Sequence, residues 1–351
     1  WMLDDLNPFR ELAKTKGETL KQPLKIFATA PAYQAQYRSY TGTHFITEDI
    51  FTGESKPRGA AMTLWVGKLE KPKGGGDSQA TAGAGFGGGG FGGGFGGGRS
   101  RSGERAKVMV YDASGKAIRT YSAPIDSGMN KLYWDMRMDG VRFPSRQEAR
   151  PDADLPGGLD VMPGTYKVVV SYGGSKDSTM LTVNGDPRLP IAEADRKAKA
   201  VAYEDFAKMV STATDAFNRI REAQKTIKTV NDATANAAAD TKKEITQLGK
   251  ALQDSLSKLE LRFLAPENQK GITRTSDNLS TRIFMASSYL NASDGAPTQS
   301  AKITIDAAKK ELNDIVAQLN TFFSKDFAAY QQKVEAAQFS LFKKYEPIKV
   351  Q

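Results

Sequence analysis

Apolar and polar residues alternate in several short stretches of the first half of the chain, as in strands with one buried face. Leu132 and Trp134 share one face of a predicted strand, and Tyr133 lies on the other face. A second predicted strand follows a Pro-Gly turn signal and places four residues on one face: Tyr166, Val168, Val170 and Tyr172. We therefore expect strands on both sides of the polar stretch between them.

Further short stretches have the same alternation, at residues 24–28, 61–66, 107–111, 116–121 and 180–183. About six or seven short strands at regular spacing are typical of an Ig-like sandwich. The pattern therefore predicts an Ig-like antiparallel β-sandwich over residues 24–185, with a wrapping loop.

After Asp186-Pro187 the apolar period changes from two to 3.6 residues. Four stretches carry one apolar stripe each, at residues 191–230, 240–263, 276–291 and 299–345. Amphipathic helices joined by short connections favour an antiparallel bundle. We therefore predict a four-helix bundle over residues 186–351.

One low-complexity segment interrupts the strands. About half of the 33 glycines lie between Gly74 and Gly98, with Phe86, Phe91 and Phe95 among them. Glycine loses more backbone entropy on ordering than any other residue. The composition therefore predicts a flexible insertion, residues 73–105, in place of a sandwich loop.

Charge and cysteine content narrow the chemistry. The formal net charge is +9, and the chain contains no cysteine. Disulfides, thiolate metal sites and a cysteine nucleophile are therefore excluded. The positive charge permits an anionic partner such as an acidic glycan, although it also serves solubility alone. The three arginines after the glycine segment are too few to favour nucleic acid.

The aromatic and polar stretch 31–60 contains the predicted partner or ligand surface: Tyr33, Tyr37, Tyr40, His44 and Phe45. Aromatic faces stack on sugars and also fill protein interfaces. His44 is the only histidine, and no G-x-S-x-G motif accompanies it. A hydrogen-bonded loop histidine is the favoured interpretation, and a catalytic base is the alternative.

Three carboxylates in one polar loop are candidate metal ligands: Asp152, Asp154 and Asp160. Oxygen ligands of this kind suit calcium, but the terminal glutamate of an EF-hand is missing. A solvated loop without cofactor is the competing interpretation. Asp135 directly follows Trp134, and Arg137 comes two residues after Asp135. We predict that these two side chains pair with each other.

Several motifs, taken together, resemble a known family. G-x-N-x-x-x-W-D-x-R at 128–137 and P-G-T-Y at 163–166 are similar to the Ig-like domain of flagellar hook-capping proteins. W-x-L-D-D-L at 1–6, D-P-R at 186–188 and D-G-A-P-T at 294–298 resemble the C-terminal region of exported bacterial proteins with a sortilin-like BNR β-propeller. Such proteins are often labelled glycosyl hydrolases. Within this pattern Trp134, Gly164 and Tyr166 are structural residues.

The resemblance implies that residues 1–23 contain a terminal propeller strand and a connector. The BNR repeat S-x-D-x-G-x-T-W does not occur in the chain, so any propeller and hydrolytic site would lie upstream of Trp1. The chain is then a non-catalytic module that supports the propeller and docks partners at the cell surface. The alternatives are an accessory part of a glycan- or peptide-acting hydrolase and a carbohydrate-binding module.

The same resemblance implies an exported protein: periplasmic, outer-membrane-associated or extracellular in a Gram-negative bacterium. Expected partners are the upstream propeller, a cell-surface or outer-membrane protein, and a glycan. No signal peptide is visible, and because the sequence starts at Trp1 we interpret it as part of a longer protein. No apolar run approaches the ~18 residues of a membrane span.

Overall fold

The computed structural model describes residues 5–35, 57–68, 104–234, 238–267 and 277–337. Contacts divide the chain into two units. The β unit comprises Trp1–Asp139 and Asp154–Pro190, and the helical unit comprises Gly140–Ala153 and Ile191–Gln351. Residues 1–4 of the predicted propeller strand Trp1–Leu6 and the glycine-rich insertion up to residue 103 lie outside the described residues, and Asp5 and Leu6 are described without a strand.

In the described part of the β unit, helix α1 is followed by ten strands. The bounds are α1 Asn7–Lys14, a 3-10 turn Glu18–Lys21, β1 Leu24–Ile26, β2 Ala32–Tyr33, β3 Ala60–Val66, β4 Arg105–Tyr111, β5 Ala117–Pro124, β6 Gly128–Trp134, β7 Arg137–Asp139, β8 Gly157–Asp160, β9 Gly164–Tyr172 and β10 Ser175–Asn184. The strands form three sheets, in the orders β1-β3-β6, β2-β10-β9-β4-β5 and β7-β8. The pair β2/β10 is parallel, and the other pairs are antiparallel.

Alternate residues of the long strands are buried, because side chains on a strand point to opposite faces in turn. Val108 and Val110 of β4 and Val168 and Val170 of β9 are fully buried. Trp134 at the end of β6 is also buried and packs edge-on against Tyr166, with ring centroids 5.4 Å apart. These side chains form one apolar core within the β unit.

The helical unit contains α2 Glu193–Ala233, α3 Ala239–Phe263, α4 Leu279–Asn291, α5 Gln299–Phe322, a π-helical turn Phe323–Phe327 and α6 Ala328–Ala336. Two of the helices begin with a side-chain cap. Asn278 Oδ1 accepts from Thr281 N at 3.0 Å, and Thr298 Oγ1 accepts from Ala301 N at 3.2 Å. The buried stripes meet in one core, where Phe217 and Phe263 pack edge-on.

The segment Gly140–Ala153, between β7 and β8, belongs to the helical unit. Arg146 Nε donates to Glu260 Oε1 of α3 at 2.6 Å, and Gln224 of α2 donates to the other carboxylate oxygen at 3.0 Å. Thr214 Oγ1 donates to the carbonyl of Arg142 at 2.7 Å. The chain therefore leaves the β unit for this segment and then returns to it.

The predicted Ig-like antiparallel sandwich followed by a four-helix bundle is wrong. The β unit is mixed: it contains α1, a parallel strand pair and three separate sheets. The helical region is divided by a π-helical turn within the last predicted helix and includes a segment that precedes β8. Periodicity identifies individual strands and helices, but it does not determine strand partners or chain excursions, and these define the fold class.

Candidate ligand-binding cavity

A cavity of about 500 Å³ lies where two edge strands of the β unit approach each other. β5 is the last strand of the five-stranded sheet, and β6 is the last strand of the three-stranded sheet. The hydroxyl of Tyr121 on β5 donates to the carbonyl of Tyr133 on β6 at 3.1 Å. This bond joins the two edges beside the cavity. The lining includes Pro57, Tyr121, Pro124, Lys131, Tyr133 and Asp135.

Arg119 forms part of the cavity wall and is buried. Its Nη1 donates to Asp139 Oδ1 at 3.0 Å and to the carbonyls of Leu155 and Pro156, both at 2.9 Å. The guanidinium carbon also lies 5.7 Å from the centre of the Tyr121 ring, within the range of a cation–π contact. The charge of Arg119 is therefore neutralised inside the protein, and its role here is to support the wall.

Tyr121 remains a neutral hydrogen-bond donor. Burial raises the pKa of its hydroxyl far above the ordinary tyrosine value, and the charge of Asp135 raises it further. Asp135 itself accepts from the backbone N–H of Arg137 at 3.2 Å. The cavity therefore offers tyrosine and proline faces with polar groups at its margin, which suits binding of a ring-bearing ligand.

The outward edge of β5 is closed by side chains. Asp139 Oδ1 accepts from Thr120 N at 3.3 Å, and Asp154 accepts from Ser122 N at 3.0 Å and from its hydroxyl at 3.2 Å. Arg105 donates to the carbonyl of Ser122 at 2.6 Å. Unpaired edge groups recruit other strands, so these bonds protect β5 from association along its edge.

Trp134, Asp135 and Arg137 lie at the end of β6 and the start of β7. Trp134 Nε1 donates to the carbonyl of Arg137 at 2.9 Å. The alternation predicted that Arg137 pairs with Asp135, and this prediction is wrong. The side chain of Arg137 pairs instead with Asp160 of β8 at 3.0 Å. Met136, between Asp135 and Arg137, has a φ of 58°, so the chain turns there and strand alternation does not apply.

Gly164 and Tyr166 mark the start of β9. Gly164 is its first residue, in open space, and pairs with Val183 of β10. The Tyr166 hydroxyl donates to the carbonyl of Met162, and burial raises its pKa. Gly164 and Tyr166 therefore both lie within the paired strands of the sheet.

The predicted aromatic surface is described at one position only. Tyr33 belongs to β2 and is 54% exposed. Tyr37, Tyr40, His44 and Phe45 lie outside the described residues, so their proposed role stays a prediction.

The three candidate calcium ligands have different partners or locations. Asp154 binds the edge of β5, and Asp160 pairs with Arg137, whereas Asp152 lies in the exposed segment of the helical unit. Across the described ranges, no group of three or more histidine, cysteine, aspartate or glutamate side chains is placed to hold a metal ion.

Sequence reasoning missed Arg119, Tyr121 and Tyr133. The alternation places Tyr133 on the opposite face from Trp134 but carries no information on which strand edge lies nearby. The consecutive order of β5 and β6 was the available signal, because a short connection keeps consecutive strands close.

Comparisons with known proteins identify no family. No protein-family model matches the chain, and no curated protein matches it. Within the part of the chain that the structure describes, no helix combines the length and apolar character needed to cross a bilayer.

Proposed function

We propose that this chain is a non-catalytic support and interaction module of an exported protein with a sortilin-like propeller. One observation carries the proposal. The last residue of the W-x-L-D-D-L motif and the segment after it expose three large apolar side chains: Leu6 at 48%, Phe9 at 54% and Leu20 at 40%. The resemblance puts the last propeller strand directly before this segment. An upstream propeller would then cover these side chains.

The burial of such side chains is favourable. Covering one leucine or phenylalanine contributes about 1.5–3 kcal/mol relative to full exposure. The neighbouring contacts keep the segment in place for such an interface. Thr15 Oγ1 lies 2.8 Å from Thr19 Oγ1, and Glu11 pairs with Lys25 of β1 at 3.3 Å.

The first experiment is to read the sequence encoded upstream of Trp1. The proposal expects repeats of the form S-x-D-x-G-x-T-W there, at the spacing of propeller blades. An upstream region without them would overturn the assignment to this class. Assays of the 351-residue chain on chromogenic glycosides and peptides should show no turnover, and measurable turnover would also contradict it.

Carbohydrate binding is the second candidate function, because the cavity between β5 and β6 has two tyrosines and two prolines in its lining. Aromatic rings present apolar faces to sugar rings. On a glycan array, Tyr133→Ala should remove binding that the unchanged chain shows. Tyr289→Ala, at a residue 42% exposed on α4, is the control and should leave binding unchanged. Equal binding by both variants would rule out this cavity.

A further inference from the structure

On its three central strands, which are β10, β9 and β4, the outer face of the five-stranded sheet carries positively charged side chains and no carboxylate. Because Val108, Val110, Val168 and Val170 point inward and are buried, the alternate residues of β4, β9 and β10 point outward. These outward residues are Arg105, Lys107, Met109, Tyr111, Thr165, Lys167, Val169, Ser171, Lys176, Ser178, Met180 and Thr182. The set contains four cations and no carboxylate.

Strand register brings the lysines onto one surface. Lys107 lies opposite Ser171, which in turn lies opposite Lys176. The two lysines are therefore two strand spacings apart, about 10 Å. Lys167 lies four residues along β9 from Ser171, about 13 Å away, between Tyr111 on β4 and Met180 on β10.

The three lysine ammonium groups lack partners within the described part of the chain. Lys107, Lys167 and Lys176 are exposed, and none of their side chains forms an ion pair or hydrogen bond there. Lys25, also in the β unit, pairs with both Glu11 and Asp177. The outer face therefore keeps an unneutralised positive field, which attracts an anionic surface.

Apolar side chains lie among these charges. Met180 is 58% exposed, and Tyr111, Val169 and Met180 line a depression of about 500 Å³ together with Lys167. Asp112, at the rim, is an ionised carboxylate held by Ser114 and Lys116. Its hydrogen bond with Ser114 lowers its pKa, and its Oδ1 accepts from both residues. The face thus combines exposed apolar side chains with dispersed cations.

We propose that this outer face docks on an anionic phospholipid bilayer. Lysine is a compact charge on a flexible stem and suits the diffuse charge of a lipid surface. Methionine and tyrosine can enter the boundary between headgroups and acyl chains. A protein partner is less well matched, since lysine is depleted in protein interfaces. Single-stranded nucleic acid uses several stacking rings, and this face offers one. The proposal does not depend on the propeller resemblance.

The test is co-sedimentation of the 351-residue chain with vesicles. Vesicles of phosphatidylglycerol and phosphatidylethanolamine should bind the chain at low salt, and added salt should weaken the binding. Pure phosphatidylcholine vesicles should not bind it. Each lysine near an anionic surface changes affinity by about fivefold. The combined variant Lys107→Gln, Lys167→Gln, Lys176→Gln should therefore bind on the order of 100-fold more weakly.

A matched control removes the same charge elsewhere. Lys225, Lys228 and Lys250 of the helical unit are exposed and also form no ion pair with described residues. Their combined change to glutamine should leave vesicle binding within about threefold, because charges away from the contact are screened by salt. Circular dichroism and Tm should show that both combined variants fold.

A second pair of variants tests the apolar contribution. Met180→Ser should weaken vesicle binding severalfold, whereas Met129→Ser, at a residue 47% exposed on β6, should not. Three results would each overturn the proposal: no binding to anionic vesicles, equal loss in the two lysine variants, or tighter binding to single-stranded DNA than to the vesicles.

Discussion

Carboxylates at the strand edges of the β unit bind backbone N–H groups, and Asp139 and Asp177 pair with a cation as well, whereas carboxylates between the helices bind side chains. Asp139 and Asp154 cap the edge of β5, and Asp177 accepts from the N–H of Ile26 at 2.9 Å. In the helical unit, Arg262 binds Glu311 at 2.6 Å and Asp314 at 2.8 Å. A helix satisfies its own backbone internally, but an edge strand leaves N–H groups unpaired.

This difference shows where each unit depends on single side chains. A carboxylate that caps an edge cannot be replaced by a neighbour, since the N–H group it binds is fixed in the sheet. An ion pair between exposed helical side chains can be lost at little cost, because water and other charges replace it.

Trp134→Ala should have the largest effect, a loss of about 3–5 kcal/mol in the free energy of unfolding. The side chain is 1% exposed, packs against Tyr166 and donates to the carbonyl of Arg137. Chemical denaturation monitored by far-ultraviolet circular dichroism, and not by tryptophan fluorescence, measures this loss. Phe284→Ala on α4, where the ring is 62% exposed, is the control and should cost under about 0.5 kcal/mol. A loss well under ~1 kcal/mol for Trp134→Ala would contradict its place in the core.

Asp139→Ala should cost about 1.5–3 kcal/mol, because it leaves the buried Arg119 without its carboxylate and Thr120 N without its acceptor. The matched helical variant is Glu244→Ala, which breaks the exposed pair with Lys333 at 2.6 Å. That change should cost under about 1 kcal/mol. Equal costs in denaturant unfolding would remove the contrast between the two units.

Alkaline pH should weaken the β unit through Tyr121. Its pKa is raised in the fold, so between the ordinary value near 10 and the folded value the unfolded chain releases a proton that the native chain keeps. The free energy of unfolding then falls by about 1.4 kcal/mol per pH unit for this group. Its contribution is complete below about pH 10 and is lost above it.

Tyr121→Phe should make the free energy of unfolding fall less steeply with pH in this alkaline range, by the contribution of one tyrosine. Unfolding in urea at several pH values between about 9 and 12 measures the slope. An unchanged slope in the variant would show that Tyr121 ionises equally in both states.

The smallest expected difference in the free energy of unfolding, near neutral pH, is between the removal of two buried tyrosine hydroxyls. Tyr121→Phe removes the bond to the Tyr133 carbonyl and should cost about 1 kcal/mol. The Tyr330 hydroxyl of α6 is buried and makes no hydrogen bond among the described residues. Tyr330→Phe should therefore be neutral or stabilising by about 1 kcal/mol. A loss on Tyr330→Phe as large as that on Tyr121→Phe would contradict this assignment.

Periodicity alone predicted many individual elements, since burial of one face imposes the period on each. The alternation at Tyr166–Tyr172 falls within β9, and the apolar stripe from Ile245 to Phe263 falls within α3. The π-helical turn Phe323–Phe327 escaped prediction because Phe323 and Phe327 continue the same apolar stripe on both sides of it. The parallel pairing of β2 with β10 joins residues about 150 positions apart, and no local pattern encodes that partner.

The candidate cavity was beyond prediction for a related reason. Arg119 binds Asp139 before the segment 140–153 and the carbonyls of Leu155 and Pro156 after it, so the last two contacts exist only once the chain has returned from that segment. That segment is polar, and its anchor is the pair Arg146–Glu260, 114 residues apart. The positive outer face, in contrast, could have been read from Lys107, Lys167 and Lys176, because each stands at an outward position of an alternating strand.

The most direct test of the proposed support role compares the cost of Phe9→Ser in two chains. In the 351-residue chain the ring is 54% exposed, so the change should lower the free energy of unfolding by under about 0.5 kcal/mol. In a longer chain that carries the proposed propeller before Trp1, the same change should cost about 1.5–3 kcal/mol, since the propeller would cover the ring. Phe284→Ser should cost the same in both chains. An equal, small cost of Phe9→Ser in both would contradict the proposal.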